Sequence, residues 1–479
     1  MGDARVSVLA IDQGTQSTRA ILFDTAGNRV AAARRPVALD RIDRWRVEQD
    51  GEEILAGVRD LIAQLRGAIT ADAIATAGLA TQRSSVIAWN RLTGEPLSPV
   101  LSWQDRREHA WLEHLQPRAR AIQRITGLRL TPHYGASKLR WLLRHNSRVQ
   151  QAADKGTLAM GPLAAFLVAN LVEGHPCLVD HANASRTQLM NLQTAQWDAQ
   201  LLEWFGLERQ WLPRIQPIRC DYGKLSGTAI PLSAVNGDQT AALFAQGAIR
   251  PSDLHVNLGT GGFVLKPTGG SPVRHAALLA GPCDSSDGER SFLIEGTVNG
   301  AGAALRWAHK SLGFETSPQA VAHCLASCPA PQALFINSIG GLGSPWWRDG
   351  PDPHWCDLEG ARVETPGETV AVAAIMESVL FLVTRNIRTM FDAGLSADGI
   401  LISGGLSNHD SVCRKLAALA GLPVRRLHQP EATARGIAWL ALGRPASWRS
   451  SEPQAFLPQT DNGLQQRYDR FVAVLERQG

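Results

Sequence analysis

The hydrophobic pattern opens with two apolar runs on either side of a short polar turn. In LAIDQGTQSTRAILFD, residues 9–24, apolar residues flank the polar stretch DQGTQST, which predicts a strand hairpin. A second turn is predicted at DTAGN, residues 24–28. Apolar residues at helical spacing predict a helix over 52–65, and residues 74–80 predict a short strand. A strand hairpin, a helix and a strand in this order indicate an α/β fold.

The second half of the chain repeats this opening. LHVNLGTGGFVLKPTGG, residues 254–270, again predicts two strands around a Gly-Thr turn. Two halves that begin with the same kind of hairpin indicate an internal duplication. The further predicted elements are helices at 138–143, 161–172, 409–420 and 431–442, and a strand at 399–403 followed by a Gly404-Gly405 turn.

These patterns predict two domains and a tail, and 479 residues exceed what one core usually organises. VNGD, residues 235–238, marks the crossover, which places an N-terminal domain at 1–240 and a C-terminal domain at 241–445. Residues 446–479 predict a helical tail packed on the second domain. Its apolar anchors are Phe456, Leu464, Phe471, Val472 and Leu475.

Charge and cysteine content narrow the class of protein. The formal net charge is +4, and the most basic stretch, 34–46, is interrupted by Asp40 and Asp43, so no nucleic-acid surface is predicted. The 7 cysteines lack the paired spacing of a metal site, and their odd number favours reduced thiols. The first strand leaves no room for a secretory signal, and no apolar run reaches the roughly 20 residues that cross a bilayer. We therefore expect a cytoplasmic protein that binds neither nucleic acid nor membrane.

An acid, a glycine and several hydroxyls at a hairpin tip suit a phosphate group. Backbone N–H groups in a glycine turn form an anion-binding nest, and hydroxyls add donors. Asp12, at the end of the strand, would hold Mg²⁺ directly or through water. The first predicted phosphate site is the turn Gly14, Thr15, Gln16 and Ser17, with Thr18 as a further donor, and Gly259-Thr260-Gly261-Gly262 would oppose it. The alternative is that both are plain tight turns.

A second glycine pair offers a surface for a flat ring. Gly404 and Gly405 follow a strand and precede a helix, so an adenine can lie on bare backbone there, with Asn408 beside it. The alternative is a tight connection in which Ser407 or Asn408 caps the helix.

Arg83 and Trp103 form a pair of residue types that suits a polyol. Arg83 follows the predicted strand at 74–80, and its rigid guanidinium can hold several hydroxyls. The face of Trp103 can pack against a carbon backbone. The alternative is a surface arginine and a core tryptophan.

The order of these motifs resembles that of the FGGY carbohydrate kinases, and within them it most resembles glycerol kinase. The motifs are, in chain order, Asp12-Gln-Gly-Thr, Arg83, Trp103-Gln-Asp-Arg-Arg, Asn183-Ala-Ser-Arg-Thr, Gly237-Asp238-Gln239, Gly259-Thr260-Gly261, Gly341-Leu-Gly-Ser-Pro and Gly404-Gly405. The resemblance implies an actin/hexokinase-like fold, in which two ribonuclease H-like domains face each other across a central cleft.

The resemblance also implies an activity and a set of site residues. It implies an ATP-dependent kinase that uses Mg²⁺, phosphorylates a primary hydroxyl, and assembles as a homodimer or homotetramer. Asp238 is implied as the catalytic base and Asp12 as the residue that attends the metal. The implied phosphate and adenosine contacts are Gly259, Thr260, Gly302, Gly404, Gly405 and Asn408, and the implied acceptor contacts are Arg83, Ser84, Trp103, His133, Asp238 and Gln239.

Two positions depart from the glycerol kinase pattern. Ser84 stands where those kinases place a glutamate, and His133 stands where they place a tyrosine. A hydroxyl in place of a carboxylate opens space, which favours a larger polyol or a ketose, whereas NASRTQLMNLQTAQWD and GLGSPWWRDG favour a glycerol-like acceptor.

Three hypotheses for the function follow. The first is a kinase of a small polyol or sugar, with a glycerol-like acceptor preferred. The second is a ketopentose kinase such as a xylulokinase or ribulokinase. The third is a non-catalytic nucleotide-binding sugar sensor, against which Asp238 argues. A dinucleotide-dependent dehydrogenase is set aside, because the first glycine turn runs from strand into strand rather than into a helix.

Overall fold

The computed structural model describes residues 7–68, 74–427, 431–448 and 452–477. The strands of the first half are β1 (Ser7–Gln13), β2 (Ser17–Asp24), β3 (Arg29–Pro36), β4 (Asp40–Arg41), β5 (Val47–Gln49), β6 (Ile74–Thr81), β7 (Val86–Asn90), β8 (Val100–Leu101), β9 (Leu158–Pro162), β10 (Leu178–Asp180), β11 (Met190–Asn191), β12 (Gln196–Trp197), β13 (Arg214–Gln216) and β14 (Leu232–Gly237). Its helices are α1 (Gly51–Ala68), α2 (His109–Leu112), α3 (Ala119–Thr126), α4 (Gly135–His145), α5 (Ser147–Asp154), α6 (Leu163–Leu171), α7 (His181–Ser185), α8 (Ala199–Phe205) and α9 (Asp238–Ala242).

The second half continues the same alternation. Its strands are β15 (Asp253–Leu258), β16 (Gly262–Gly269), β17 (Leu279–Ser286), β18 (Glu289–Val298), β19 (Leu334–Ile336), β20 (His354–Cys356), β21 (Arg362–Val363), β22 (Gly399–Ser403), β23 (Val424–Arg426) and β24 (Gln454–Phe456). Its helices are α10 (Gly302–Leu312), α11 (Pro318–Ser327), α12 (Glu368–Asp392), α13 (Asp410–Ala420), α14 (Ala432–Ala441) and α15 (Asn462–Arg477).

The central sheet of the first domain brings three strand ends to one edge. Its strand order is β14-β6-β1-β2-β3, with β1 and β2 antiparallel and with β1, β6 and β14 parallel. Gln13 and Gly237 both lie beside Thr81 in the register. Asp12, Arg83 and Asp238 therefore lie at the same edge of the sheet, although the chain separates them by many residues.

The second domain repeats this arrangement. In its sheet, β17-β18-β16-β15-β22-β23-β24, the antiparallel pair β15–β16 is followed by β22 parallel to β15, as β6 follows the pair β1–β2. The shared order agrees with the internal duplication predicted from the two Gly-Thr hairpins. The predicted strand at 399–403 is confirmed as β22, and the helices around 409–420 and 431–442 are confirmed as α13 and α14.

Each domain has its own core, and α14 joins them. One cluster of buried apolar side chains spans β1 to β14, and another spans β15 to α15. A third cluster joins α14 to the first sheet, because α14 packs against β1, β6 and β14. At the start of α14, Glu431 accepts a hydrogen bond from Arg19 at 2.9 Å, which adds a polar contact to this apolar junction.

The structure corrects three predictions, which concern the start of a helix, the make-up of the tail and the domain boundary. Gly161 and Pro162 belong to β9, which pairs with β7, so the helix predicted over 161–172 begins at Leu163. The tail is not wholly helical, because Gln454–Phe456 form β24 and cover the edge of β23 before α15 begins. The predicted domain boundary at 240/241 falls inside α9.

One helix among the described residues is long and apolar enough to cross a bilayer by length and composition. It is α12, whose most apolar window has a mean hydropathy of 1.7. Because 89% of that window is buried inside the protein, α12 is a core helix of the second domain.

Candidate active site

Two carboxylates and an arginine meet at the edge of the first sheet. Asp238 begins α9, and its Oδ1 lies 3.9 Å from Arg83 Nε. Asp12 Oδ2 lies 4.0 Å from Arg19 Nη1. Burial, followed by the charge of Asp238, raises the pKa of Asp12 to about 7. Burial also raises the pKa of Asp238, although Arg83 opposes the shift. Two carboxylates whose charges interact in a partly closed space suit either proton transfer or a divalent cation.

One side of the cleft is built mainly from side chains. We call the surface formed by Arg83, Ser84, Trp103 and His133 the side-chain wall. Arg83 is only 10% exposed along its side chain, whereas Trp103 is 36% exposed. This is the reverse of the alternative in which the arginine lies on the surface and the tryptophan in the core.

Ser84 is unusual within this wall. It is buried, its backbone adopts a positive φ of 67°, and its hydroxyl has no hydrogen-bond partner among the described residues. A buried hydroxyl without a partner and a strained backbone both carry a free-energy cost, and such features concentrate at ligand sites.

Lys138, on α4, fixes the loops of the side-chain wall from behind. Its Nζ donates to the backbone carbonyls of Ser84, Ser102 and His133 at 3.2, 2.8 and 2.8 Å. Burial lowers the pKa of Lys138 to about 7. One buried ammonium therefore ties together three loops that belong to different elements.

The aromatic residues of the wall contact one another. The rings of Trp103 and His133 meet edge to face with centroids 5.7 Å apart. Burial, followed by the charge of Lys138, holds the pKa of His133 well below its ordinary value. His133 is therefore neutral near pH 7, and its imidazole can both donate and accept a hydrogen bond.

The first hairpin is held by buried side chains. Gly14 N donates to Ser17 O at 3.0 Å and closes the turn, with Thr15 and Gln16 at its tip. Gln49 donates to the Thr15 carbonyl at 2.8 Å, and Gln82 donates to Gln49 at 2.9 Å. Trp103 Nε1 donates to the Thr15 hydroxyl at 2.9 Å, so that hydroxyl keeps its own proton for a further acceptor. Ser17 and Thr18 are buried in β2.

The second hairpin is held by backbone packing. We call Gly259, Thr260, Gly302 and Gly404 the glycine wall. Gly302 N donates to Gly259 O at 2.9 Å, and a Cβ on Gly302 would lie 2.8 Å from that oxygen. Gly404 has a φ of +91°, and a Cβ there would lie 2.6 Å from the Leu258 backbone. Only glycine fits at both positions. The predicted phosphate residues Gly259 and Gly302 are therefore in direct contact, and the predicted adenosine residue Gly404 packs against Leu258, the residue before Gly259.

The Gly404-Gly405 connection does not end in the capping that we considered as an alternative. Ser407 Oγ donates back to the Gly404 carbonyl at 2.7 Å. The residue at the N-cap of α13 is His409, and within the part of the chain that the structure describes no side chain caps this helix end. Asn408 is exposed beside the connection, and a Cβ on Gly405 would meet nothing within 4 Å.

Two residues of the site were not identified from sequence. Glu295, on β18, is buried and bonds Arg186 and Arg83, and Lys138 supports the side-chain wall. A signal existed for each, because a glutamate interrupts the apolar strand SFLIEGTV and a lysine lies on the buried face of α4. Gln239, which the resemblance implied, accepts a hydrogen bond from Arg83.

The amino-acid sequence is similar to those of known carbohydrate kinases. The N-terminal domain of the FGGY family of carbohydrate kinases matches residues 7–245, and its C-terminal domain matches residues 254–443. A glycerol kinase of Stenotrophomonas maltophilia is 33% identical, covering 98% of this chain and 95% of its own.

Solved structures give the fold. The glycerol kinase of Plasmodium falciparum, solved with ADP, superposes with a TM-score of 0.90 at 24% identity and covers 99% of this chain and 98% of its own. A ligand-bound xylulose kinase of Lactobacillus acidophilus superposes with a TM-score of 0.84 at 19% identity and covers 98% of this chain and 97% of its own. The expected actin/hexokinase-like fold with two domains is confirmed.

Proposed function

The chain belongs to the FGGY family of carbohydrate kinases, and from that premise we propose that it transfers the γ-phosphoryl group of ATP to a primary hydroxyl of a small polyol or sugar, glycerol-like first. The family implies ATP as the phosphoryl donor, a divalent metal, and a small-molecule polyol or sugar as the acceptor. The observation that carries the proposal is the position of Asp238, which starts α9 beside both Arg83 and Asp12.

We propose Asp238 as the general base. Its carboxylate would accept the proton of the acceptor hydroxyl while that oxygen attacks the γ-phosphorus. Burial raises the pKa of Asp238, which brings the carboxylate closer to the working pH and strengthens it as a base. Arg83 lies beside it and would hold the acceptor hydroxyls, so that the attacking oxygen is positioned before the transfer.

The two hairpins would hold the phosphates. Backbone N–H groups at the tips of the two turns would supply donors, while the N–H groups of Gly14 and Gly259 close the turns onto Ser17 O and Gly261 O. The Thr15 proton remains available because Trp103 donates to the oxygen of that hydroxyl. Most of the catalysis in phosphoryl transfer is positioning and charge stabilisation, which such fixed donors supply.

The acidic residues fit a divalent metal. Asp12 is a mostly buried carboxylate whose pKa is raised by burial and by Asp238, a cost that a bound cation would relieve. The described residues hold no group of three or more His, Cys, Asp and Glu side chains arranged for a metal, so we propose that Asp12 attends Mg²⁺, with phosphate oxygens and water supplying the other ligands. When bound, Mg²⁺ would neutralise charge on the phosphate oxygens.

The side-chain wall supports a small polyhydroxylated acceptor. The unpaired hydroxyl of Ser84 and the neutral imidazole of His133 can each donate and accept, whereas the glutamate of glycerol kinases only accepts. A ketopentose remains the second candidate, because the smaller serine leaves room for a longer acceptor. A sensor without turnover is disfavoured, since binding alone requires no base at Asp238.

Release of ADP tests the proposal. Purified protein with Mg-ATP is offered glycerol, erythritol, other polyols, and both enantiomers of ribulose and xylulose. We expect one class to respond, and Asp238→Ala to lower kcat about 10²- to 10⁴-fold while ATP still binds. Asp154→Ala, an exposed carboxylate at the end of α5, is the matched control and should keep full activity. Turnover retained in Asp238→Ala would remove Asp238 from the role of base.

Two further expectations concern assembly, which the family implies, and location, which the cysteine content favours. We propose a homodimer or homotetramer located in the cytoplasm. Light scattering of the purified protein and fractionation of cells test these two points.

A further inference from the structure

A buried carboxylate reaches the side-chain wall from the other domain. Glu295 lies on β18 and is 1% exposed. Its Oε2 accepts a hydrogen bond from Arg186 Nη2 at 2.6 Å, and from Arg83 Nη1 and Nη2 at 3.4 Å each. Arg83 and Arg186 belong to the first domain, so this cluster crosses the domain junction.

Arg83 is held from two sides. Glu295 bonds the terminal nitrogens of its guanidinium, and Gln239 accepts a hydrogen bond from Nη2. The Nε atom lies 3.9 Å from Asp238 Oδ1. A guanidinium is planar and rigid, so fixing its terminal nitrogens also fixes the direction in which its remaining N–H group points. The orientation of Arg83 toward Asp238 therefore depends on Glu295.

Electrostatics makes this dependence strong. Burial and the neighbouring Arg186 lower the pKa of Arg83, because two arginines lie close together in a closed space. Burial alone would raise the pKa of Glu295, but Arg186 and Arg83 together hold it below its ordinary value. Glu295 is thus ionised and balances two buried cations. Ser84, the neighbour of Arg83 in sequence, has no charge to contribute.

We propose that Glu295 is a positioning residue for phosphoryl transfer. Glu295 lies in the second domain, and it orients Arg83 of the first domain toward the acceptor and toward Asp238. The inference rests on the proposed kinase function. Both domains then contribute to the acceptor site, because the carboxylate that holds Arg83 lies on β18 of the second domain.

The competing explanation is a purely structural ion cluster, and the chain contains a matched control for it. Glu377, on α12, is 2% exposed at its side chain and also bonds two cations. It accepts hydrogen bonds from Arg467 at 2.7 and 2.8 Å and from Lys415 at 2.6 Å. Neither partner belongs to the candidate site, so Glu377→Gln reports what the loss of such a cluster does to folding alone.

The test compares Glu295→Gln, Glu295→Asp and Glu377→Gln with the unchanged protein. For each, thermal unfolding, kcat, the KM for Mg-ATP and the KM for the responding acceptor are measured. We expect both glutamine variants to lower the unfolding midpoint. Of these two glutamine variants, Glu295→Gln alone should raise the acceptor KM, by about tenfold or more, with the ATP KM unchanged within about twofold.

Glu295→Asp keeps the inference falsifiable if the glutamine variant does not fold. It retains the charge but draws the carboxylate back by one methylene, so it should fold and still raise the acceptor KM several-fold. An acceptor KM that stays at the unchanged protein's value in the folded Glu295 variants overturns this inference alone. An unchanged protein that releases no ADP with any acceptor overturns the proposed function, and this inference with it.

Discussion

Side chains hold the residues of the candidate site in position on one side of the cleft, whereas close backbone packing holds them on the other. In the side-chain wall, Lys138 ties three loops through its ammonium, and Trp103 bonds the tip of the first hairpin. In the glycine wall, Gly302 and Gly404 lie against the second hairpin with no space for a Cβ. Both halves begin with the same Gly-Thr hairpin, so the duplicated fold accommodates two ways of holding this hairpin in place.

The two walls should differ in the substitutions that they tolerate. A side-chain network adjusts when one member changes, because rotamers and neighbouring donors can shift. Backbone packed on backbone cannot adjust without moving a strand. We therefore expect the largest single-residue effects on stability in the glycine wall, and smaller, pH-sensitive effects in the side-chain wall.

Gly404→Ala should have the largest effect. The new Cβ would meet the Leu258 backbone at 2.6 Å, at a φ of +91° and ψ of 162° that is open almost only to glycine. We expect a loss of about 2–4 kcal/mol in the free energy of unfolding and a raised KM for ATP. Gly405→Ala is the neighbouring control, because its Cβ would meet nothing within 4 Å. Equal denaturation midpoints for the two variants would contradict the account of the glycine wall.

The free energy of unfolding should depend on pH through Lys138, which supports the side-chain wall. Burial lowers its pKa to about 7 in the folded protein, so above pH 7 the unfolded chain binds more protons than the folded one. Stability should therefore rise with pH, by about 1.5 kcal/mol between pH 7 and 8.5 from this group. Lys138→Met should lose this rise, as followed by urea unfolding at several pH values.

A comparison between variants separates this effect from others. Burial raises the pKa of the thiols of Cys177 and Cys220 to about 11 and 12, so the unfolded chain releases these protons first and the thiols lower stability as pH rises. The thiols are the same in the unchanged protein and in Lys138→Met, so the difference between the two slopes belongs to Lys138. Lys155→Met changes an exposed lysine at the end of α5 and should keep the slope of the unchanged protein. A slope in Lys138→Met equal to that of the unchanged protein would show that Lys138 is not responsible.

Sequence predicted the glycine wall better than the side-chain wall, for a physical reason. Hairpins and strand-to-helix turns depend on neighbouring residues, so Gly259, Gly404 and strand β22 were identified where the structure has them. Lys138 and Glu295 act through residues far away in sequence. Arg186 and Glu295 are 109 positions apart, and no local pattern reports such a contact.

The sequence also failed to predict a short strand that forms only by pairing with a neighbouring strand. The three residues of β24 form a strand only because β23 offers an open edge beside them. The resemblance supplied Asp238, and residue type had already indicated Arg83 as a polyol contact. Neither indicated which buried groups hold Arg83 in place.

Trp103→Phe should have the smallest effect. It tests whether the hydrogen bond from the side-chain wall to Thr15 stabilises the first hairpin. Phenylalanine keeps a ring near His133 but loses the N–H that bonds Thr15 Oγ1 at 2.9 Å. One neutral hydrogen bond contributes about 1 kcal/mol, so we expect a similar loss of stability. If the freed Thr15 hydroxyl also binds phosphate less well, the KM for ATP should rise about fivefold. Trp45→Phe, where the ring stacks on His109 at 4.0 Å, is the control and should leave the KM for ATP unchanged. A change in the acceptor KM without one in the ATP KM would mean that Trp103 serves the acceptor alone, and that the first hairpin holds its shape through Gln49 and Gly14.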